Sequence, residues 1–281
     1  MDEVADDFRA RRVKLPPEAF ALWEGPDPPP SDLIDERVWH GITNLPDDVS
    51  LRTSDHYGTD LQRAYGAWGD WVSLALAAQY LGGEPPKTDT PIVVASFVVT
   101  DELQSSLYSA LCGFYRASLG DLRLALEGAI AGLYFTAIPD AQTLKAWDDG
   151  TYELQMNDAR QRLAQRDPCR RYPSLMDNDK WVASSLRQLN SFSHGKPSTA
   201  NIEFWEGSNG PIYVPRSFEV WRRAFADVVL LSVLLTALAE PGLREAMYPS
   251  DFLLDDFIES LLAWHPEPPA VAEEIRQDLR K

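Results

Sequence analysis

The spacing of apolar residues along the chain predicts a helical protein. In 60–80 they recur every three or four residues, and a pair of glycines follows. The stretch 100–138 is apolar on more than one side and weakens only near 118–120, so it predicts a long kinked core helix or a pair of core helices. Thr100, which two acidic residues follow, is the predicted start of this stretch because a hydroxyl can accept the first amide hydrogens of a helix.

The C-terminal half continues the helical pattern with one exception. Further helices are predicted in 141–147, 157–166, 179–194, 218–239, 251–264 and 270–280. The most apolar of these, 218–239, is expected at the centre of the fold. The exception is 202–214, where β-forming residues flank a Gly-Ser-Asn-Gly loop, and a small β-hairpin is predicted there. The expected fold class is therefore all-α, a helical bundle with one small hairpin.

Proline clusters divide the chain into three predicted parts. The first 50 residues contain two such clusters and few periodic apolar positions, which is typical of an extended arm. A further Pro-Pro pair, at 85–86, marks the clearest internal boundary. We predict an N-terminal arm with an accessory helix in 1–90, a helical core in 91–240, and C-terminal helices in 241–281 that pack on the core.

Composition and charge are those of a globular protein and disfavour one that binds extended anionic surfaces. The 281 residues are 44% hydrophobic and 25% charged, as in ordinary globular proteins. A net charge of -17 disfavours a protein that coats nucleic acid or an anionic membrane. One segment, 159–200, reverses this balance with eight basic and three acidic residues. It indicates either a face that meets an anion or exposed arginines that pair with acidic neighbours.

The sequence favours a cytoplasmic protein without a cofactor. The longest apolar run, 228–239, is shorter than the roughly 20 residues that cross a bilayer. The N-terminus is acidic, unlike that of a signal peptide, and two cysteines make no disulfide framework. The common phosphate-binding and dinucleotide-binding motifs are absent, and the four histidines are scattered. Neither a metal site nor a membrane span is expected.

One short motif carries candidate chemistry. Arg187 and His194 are seven positions apart, so they share one helix face at a separation of about 10 Å along the axis, with Asn190 between them. Histidine can transfer a proton near neutral pH, and arginine can hold phosphate oxygens with two hydrogen bonds. This combination suits phosphodiester chemistry. A structural role stays open, because a histidine at a helix C-terminus is favoured by the helix dipole whatever the function.

A second polar pair, Arg123 and Glu127, lies in the otherwise apolar run 122–135. These charges are expected to pair with each other or with a neighbouring helix, since an unpaired buried charge is costly. Glu127 is alternatively a residue that orients the motif across the bundle.

The candidate binding residues for an anion come from the basic segment. They are Arg170, Arg171 and Lys196.

Three runs of the sequence, taken in order, resemble a known family. They are GFYRASLGDLRLALEGAIAGLYF (113–135), LKAWDDG (144–150) and LRQLNSFSHGKP (186–197). They are similar to the arginine-and-glutamate core helix, the Trp-Gly turn and the Leu-Ser-x-x-x-His helix end of bacterial proteins in the HEPN-like (higher eukaryotes and prokaryotes nucleotide-binding) superfamily. The similarity covers about half of the chain. The superfamily signature is an arginine and a histidine with four to six residues between them, which Arg187 and His194 match.

This resemblance implies an activity and partners. Catalytic HEPN members are metal-independent endoribonucleases that work as dimers and are often toxins or antiviral effectors. By analogy His194 would act as base or acid on the ribose 2′-hydroxyl, Arg187 would stabilise the scissile phosphate, and Asn190 would position one of them. The implied partners are RNA, a second copy of the chain, and a protein such as an antitoxin or defence component. The alternative, favoured by the overall acidity, is a noncatalytic helical module that dimerises and binds a protein or a nucleotide.

Overall fold

Helices make up nearly all of the regular structure, as the apolar spacing predicts. The computed structural model describes residues 45–81, 83, 85–193, 213–245 and 253–280, which belong to one compact unit, Ile42–Lys281. Its α-helices are α1 (Leu45–Gln79), α2 (Pro91–Leu111), α3 (Tyr115–Ala137), α4 (Ala141–Asp148), α5 (Met156–Ala164), α6 (Pro173–Met176), α7 (Trp181–Ser193), α8 (Pro215–Ala239), α9 (Leu254–Trp264) and α10 (Ala270–Leu279). Short 3-10 helices occupy Cys169–Arg171 and Pro241–Glu245.

The all-α prediction is confirmed for the described residues, which contain no β-strand. The predicted hairpin at 202–214 lies outside them, except for Tyr213 and Val214, and these two residues are in no strand. No helix in the described ranges has the length and apolarity needed to cross a membrane.

Helices α2 and α3 form an antiparallel pair whose backbones approach closely. A Cβ added at Gly132 of α3 would lie 2.9 Å from the Cβ of Ala95 in α2, so only glycine fits this contact. Further along, the buried Ser118 hydroxyl donates to the Ser106 carbonyl at 2.7 Å. Trp221 of α8 donates to the Ser106 hydroxyl at 3.0 Å. These bonds fix the register of α2 and α3 and join both to α8.

The predicted limits of this helix pair are wrong. The first helix begins at Pro91, and Thr100 lies inside it, where its hydroxyl donates to the Ser96 carbonyl at 2.7 Å instead of capping a helix. The chain turns at Gly113, which has a φ of 84°, a conformation that favours glycine. The predicted weak point near 118–120 is therefore continuous helix within α3.

Helix α8 lies at the centre of the fold, as its apolar sequence predicts. It contacts α1, α2, α3, α7, α9 and α10. Leu231 and Trp221 are fully buried. At its N-terminal end Phe218 stacks on Tyr57 with the ring centroids 4.2 Å apart. Tyr57 is also the point at which α1 bends, because its backbone leaves the helical conformation.

Candidate functional site

A cleft of about 1120 Å³ lies on the side of α3 that does not face the core. One wall consists of α2 and α3, and a second wall consists of α5, α7 and the segment that joins α6 to α7. The end of α4 and residues 150–155 form its floor. We call these the α2/α3 wall, the α5/α7 wall and the floor.

The α2/α3 wall carries an acidic excess. Arg123 and Glu127, one helical turn apart on α3, form an ion pair with Nε and Oε1 2.8 Å apart. Glu102 of α2 also lines the cleft. Burial, followed by the nearby carboxylates of Asp121 and Asp101, raises the pKa of Glu102 to about 6. This wall therefore offers two carboxylates as hydrogen-bond acceptors, one of which titrates close to neutral pH.

The α5/α7 wall carries two arginines that are held by adjacent residues. Arg160 of α5 is only 4% exposed, and its Nη2 donates to the amide oxygen of Asn178 at 2.7 Å. Arg187 of α7 is exposed and pairs with the carboxylate of Asp179 at 2.6 Å. Asp179 has a φ of 62°, which aspartate tolerates better than most residues. One turn of the chain thus places both guanidinium groups on the same wall.

Two aromatic side chains belong to the floor. Trp147, near the end of α4, is half-buried and packs on Phe135 with ring centroids 5.8 Å apart. Tyr152 is 41% exposed. The chain reverses between them at Gly150, whose φ is 69°. Exposed faces of aromatic rings can stack on a planar ligand.

A partly buried carboxylate holds α7 against α8. Asp227 of α8 accepts hydrogen bonds from Nε1 of Trp181, at 2.6 Å, and from the hydroxyl of Ser185. Nε2 of His265 lies 3.3 Å from the same carboxylate. Because Nδ1 of His265 accepts the amide hydrogen of Glu267, Nε2 carries the ring hydrogen and donates to Asp227. With this face of α7 tied to the core, its other face lines the cleft.

The cleft brings together four of the residues singled out from the sequence. Arg187 and Asn190 lie on the α5/α7 wall, and Arg123 and Glu127 lie on the α2/α3 wall. The Oδ1 atom of Asn190 is buried and has no hydrogen-bond partner. His194 lies outside the described residues, and so does Lys196.

The other predicted binding residues are not part of the cleft. Arg170 and Arg171 are exposed in a 3-10 helix and pair with Asp167 at 3.3 Å and 3.7 Å. Arg187 likewise has the Asp179 carboxylate beside it. For these three arginines the structure shows pairing with acidic neighbours, which was one of the two alternatives left open for the basic segment. Glu127 pairs with Arg123 and not with Arg187.

Sequence reasoning missed Arg160, Asn178 and the Asp227 network. Arg160 had a detectable signal, because it lies four residues after Met156 and three before Leu163 on the apolar face of a helix. An arginine at such a position is unusual and merits attention. Asn178 and Asp227 carried no comparable signal, since their partners are distant in the sequence.

No model of a known protein family, no curated protein and no solved structure matches the chain. Within the described ranges, no group of three or more His, Cys, Asp or Glu side chains is arranged to hold a metal ion. The geometry of the cleft and the motif of α7 are therefore the features that point to a function.

Proposed function

We propose that this chain is a HEPN-like helical module that binds a nucleotide in the cleft. The observation that carries the proposal is the set of groups that line the cleft. Arg160 and Arg187 lie on the α5/α7 wall with Asp158, Glu102 and Glu127 lie on the α2/α3 wall with Arg123, and two aromatic rings lie on the floor beside Glu153. A nucleotide has the three matching parts, which are a phosphate, hydroxyl and amino donors, and a planar base.

Each part of a nucleotide has a chemical counterpart in the cleft. Arginine binds phosphate oxygens through paired N–H groups, and Arg187 is exposed to such a ligand. The carboxylates of Glu102 and Glu127 can accept hydrogen bonds from ribose hydroxyls and base amino groups. Trp147 and Tyr152 can stack on the base, which contributes about 1–3 kcal/mol for each stacked base. A cleft of about 1120 Å³ is large enough for a mononucleotide.

Calorimetric titration of the full chain with each ribonucleoside 5′-monophosphate tests this proposal. We expect saturable binding that weakens at least about fivefold in Trp147→Leu, because the base loses a stacking surface. Tyr65→Leu is the matched control, since Tyr65 is 62% exposed on α1 and does not line the cleft. The proposal is wrong if no monophosphate binds, or if both variants bind as the wild type does.

A second candidate function, metal-independent cleavage of RNA, is favoured by the placement of Arg187 and Asn190 side by side at the cleft. The Arg187–Asp179 pair is exposed, and such pairs contribute only about 0–1 kcal/mol, so a phosphate can displace the carboxylate. In this proposal Arg187 stabilises the scissile phosphate, His194 transfers the proton of the 2′-hydroxyl, and Asn190 positions one of them. Two copies of the chain would bring two such motifs together.

Incubation of the purified protein with total RNA in EDTA tests the second candidate. We expect cleavage that leaves 2′,3′-cyclic phosphates and spares DNA, which lacks the attacking hydroxyl. His194→Ala should reduce the rate by a factor on the order of 10² or more, and Arg187→Lys should also impair it. His56→Ala, at an exposed position on α1, controls for loss of a histidine. Wild-type rates in both motif variants would exclude this role, and a monomer in sedimentation would exclude the paired site.

A further inference from the structure

The described residues include two buried arginines with contrasting surroundings. Arg276 of α10 is 9% exposed and contacts three carboxylates. Those of Asp255 and Glu273 lie 3.2 Å and 3.5 Å away, and the third belongs to Glu259. The positive charge of Arg276 is thus compensated by carboxylates of the protein itself, which is the usual condition for a buried charge.

Arg160 has no such compensation. Its Nη1 donates to the carbonyl of Met176, and its Nη2 donates to the amide oxygen of Asn178. Nε is buried and has no hydrogen-bond partner. Among the described residues no carboxylate oxygen lies within the 4.0 Å of an ion pair. A guanidinium group has five N–H donors, so a majority of those of Arg160 lack an identified acceptor.

This arrangement is unfavourable unless a further group supplies negative charge. A buried ion without a counter-ion costs several kcal/mol, and each buried donor without an acceptor adds to that cost. Arg160 lines the cleft, so a ligand in the cleft can supply the missing charge. We infer that Arg160 is an anion-binding residue of the cleft and that the anion is the phosphate group of the bound nucleotide; the second part of this inference rests on the proposed function.

The neighbours of Arg160 support a phosphate at this position. Asn178 and Asp179 are adjacent in the chain, and they hold Arg160 and Arg187 respectively. A phosphate has several oxygens and can accept hydrogen bonds from two guanidinium groups at once. Asp179 then competes with the ligand for Arg187, whereas no carboxylate competes for Arg160. Arg160 is therefore the residue that is available to the phosphate without displacement of an internal partner.

Calorimetric titrations of the full chain with inorganic phosphate, with ribonucleoside 5′-monophosphates and with the matching nucleosides test the inference. We expect phosphate and monophosphates to bind, and nucleosides to bind at least tenfold more weakly than their monophosphates. Arg160→Gln should weaken phosphate and monophosphate binding at least tenfold and leave nucleoside binding unchanged. Arg160→Lys retains the charge and should show a smaller loss. Arg162→Gln removes an equal charge from the same helix at a position that does not line the cleft, and it should bind as the wild type does.

The outcomes of these titrations distinguish failure of the role proposed for Arg160 from failure of the proposed nucleotide binding. If phosphate binds through Arg160 but no nucleotide binds, the anion site is supported and the proposed function is wrong. If monophosphates bind equally to the wild type and to the Arg160 variants, the role of Arg160 is wrong and the proposed function stands. Absence of phosphate and nucleotide binding overturns both. If Arg160→Gln does not fold, the folded Arg160→Lys variant tests the role of Arg160. Equal phosphate binding by this variant and the wild type would contradict recognition by the guanidinium group.

Discussion

Buried polar groups on the two sides of α3 have different surroundings. On the core side, Ser118 exchanges hydrogen bonds with Ser106, which also accepts one from Trp221. On the cleft side, Arg160 and Asn190 each have a buried polar atom without a partner. The only other such atoms in the described residues are two serine hydroxyls on α8. Those two serines belong to the central helix, so unpaired buried atoms occur on both sides. The unpaired atoms of Arg160 and Asn190 differ because they lie next to a solvent-open cleft, where a ligand can supply the missing partners.

Changes on the core side of α3 should therefore affect stability, and changes at the cleft should affect binding. Side chains on the core side have no room, so any added volume or charge must disturb the fold. Cleft residues have space beside them and spare donors or acceptors, so their replacement should alter ligand binding more than folding. The binding experiments on Trp147 and Arg160 test the second expectation, and four changes that affect folding stability test the first.

The largest effect is expected at the centre of the fold. Leu231→Asp places a carboxylate where the side chain is fully buried, and the cost should exceed about 4 kcal/mol, a large part of a typical stability of about 5–15 kcal/mol. Expression should yield little soluble protein. Leu51→Asp, at a position that is 51% exposed on α1, should remain soluble and folded. Circular dichroism of the soluble fractions checks both, and a folded Leu231→Asp would show that α8 is not central.

Two glycines of α3 should respond to alanine with opposite signs. Gly132→Ala puts a Cβ 2.9 Å from that of Ala95, and such overpacking costs about 1–3 kcal/mol. At Gly120 nothing lies within 4 Å of the added Cβ, so alanine should stabilise by up to about 1 kcal/mol through its higher helix propensity. Urea unfolding measures both values. Equal effects at the two positions would argue against close packing of α2 on α3.

The Asp227 network should contribute measurably to the attachment of α7. In Asp227→Asn an NH₂ group replaces one carboxylate oxygen. Because this group donates and cannot accept, Trp181 or Ser185 loses its acceptor. Leaving one buried donor unpaired should cost about 1–3 kcal/mol in urea unfolding. Asp256→Asn, an exposed aspartate on α9, is the control for the change of charge. If the two variants are equally stable, the network does not hold the helix.

The smallest effect is a change in pH dependence at Glu102. The fold raises its pKa to about 6 from an ordinary value of 4.5, so the folded state favours the protonated form. The stability that this group contributes is therefore present below pH 4.5 and declines as the pH rises through about 6. Glu102→Gln should be more stable than the wild type at pH 8 and should lose this advantage toward pH 4. Thermal unfolding across this range tests it, and a constant difference would contradict the raised pKa.

Helix content was predictable because it is a local property. Periodic apolar residues indicated α3 and α8, and the same periodicity indicated that α8 is buried. The limits of α2 were not predictable from Thr100, because a threonine hydroxyl can cap a helix or bond to the preceding turn. The observed start at Pro91 is itself a local signal, since proline is favoured at the first position of a helix. The role of Thr100 as an acceptor for Trp71 of another helix was not predictable, because the two residues are far apart in sequence.

The candidate site likewise combines features that the local sequence determines with features that depend on how the helices pack. The spacing of Arg187 and Asn190 determined by itself that both lie on one face of a helix, because the helical repeat is a property of the backbone. That this face lines the same cleft as Arg123 and Glu127, and that Asp179 pairs with Arg187, depends on the tertiary structure. The tertiary structure also decided that Arg160 is buried without a counter-ion. Periodicity specifies the direction of a side chain relative to its own helix, whereas its partners and its electrostatic environment depend on how separate helices pack.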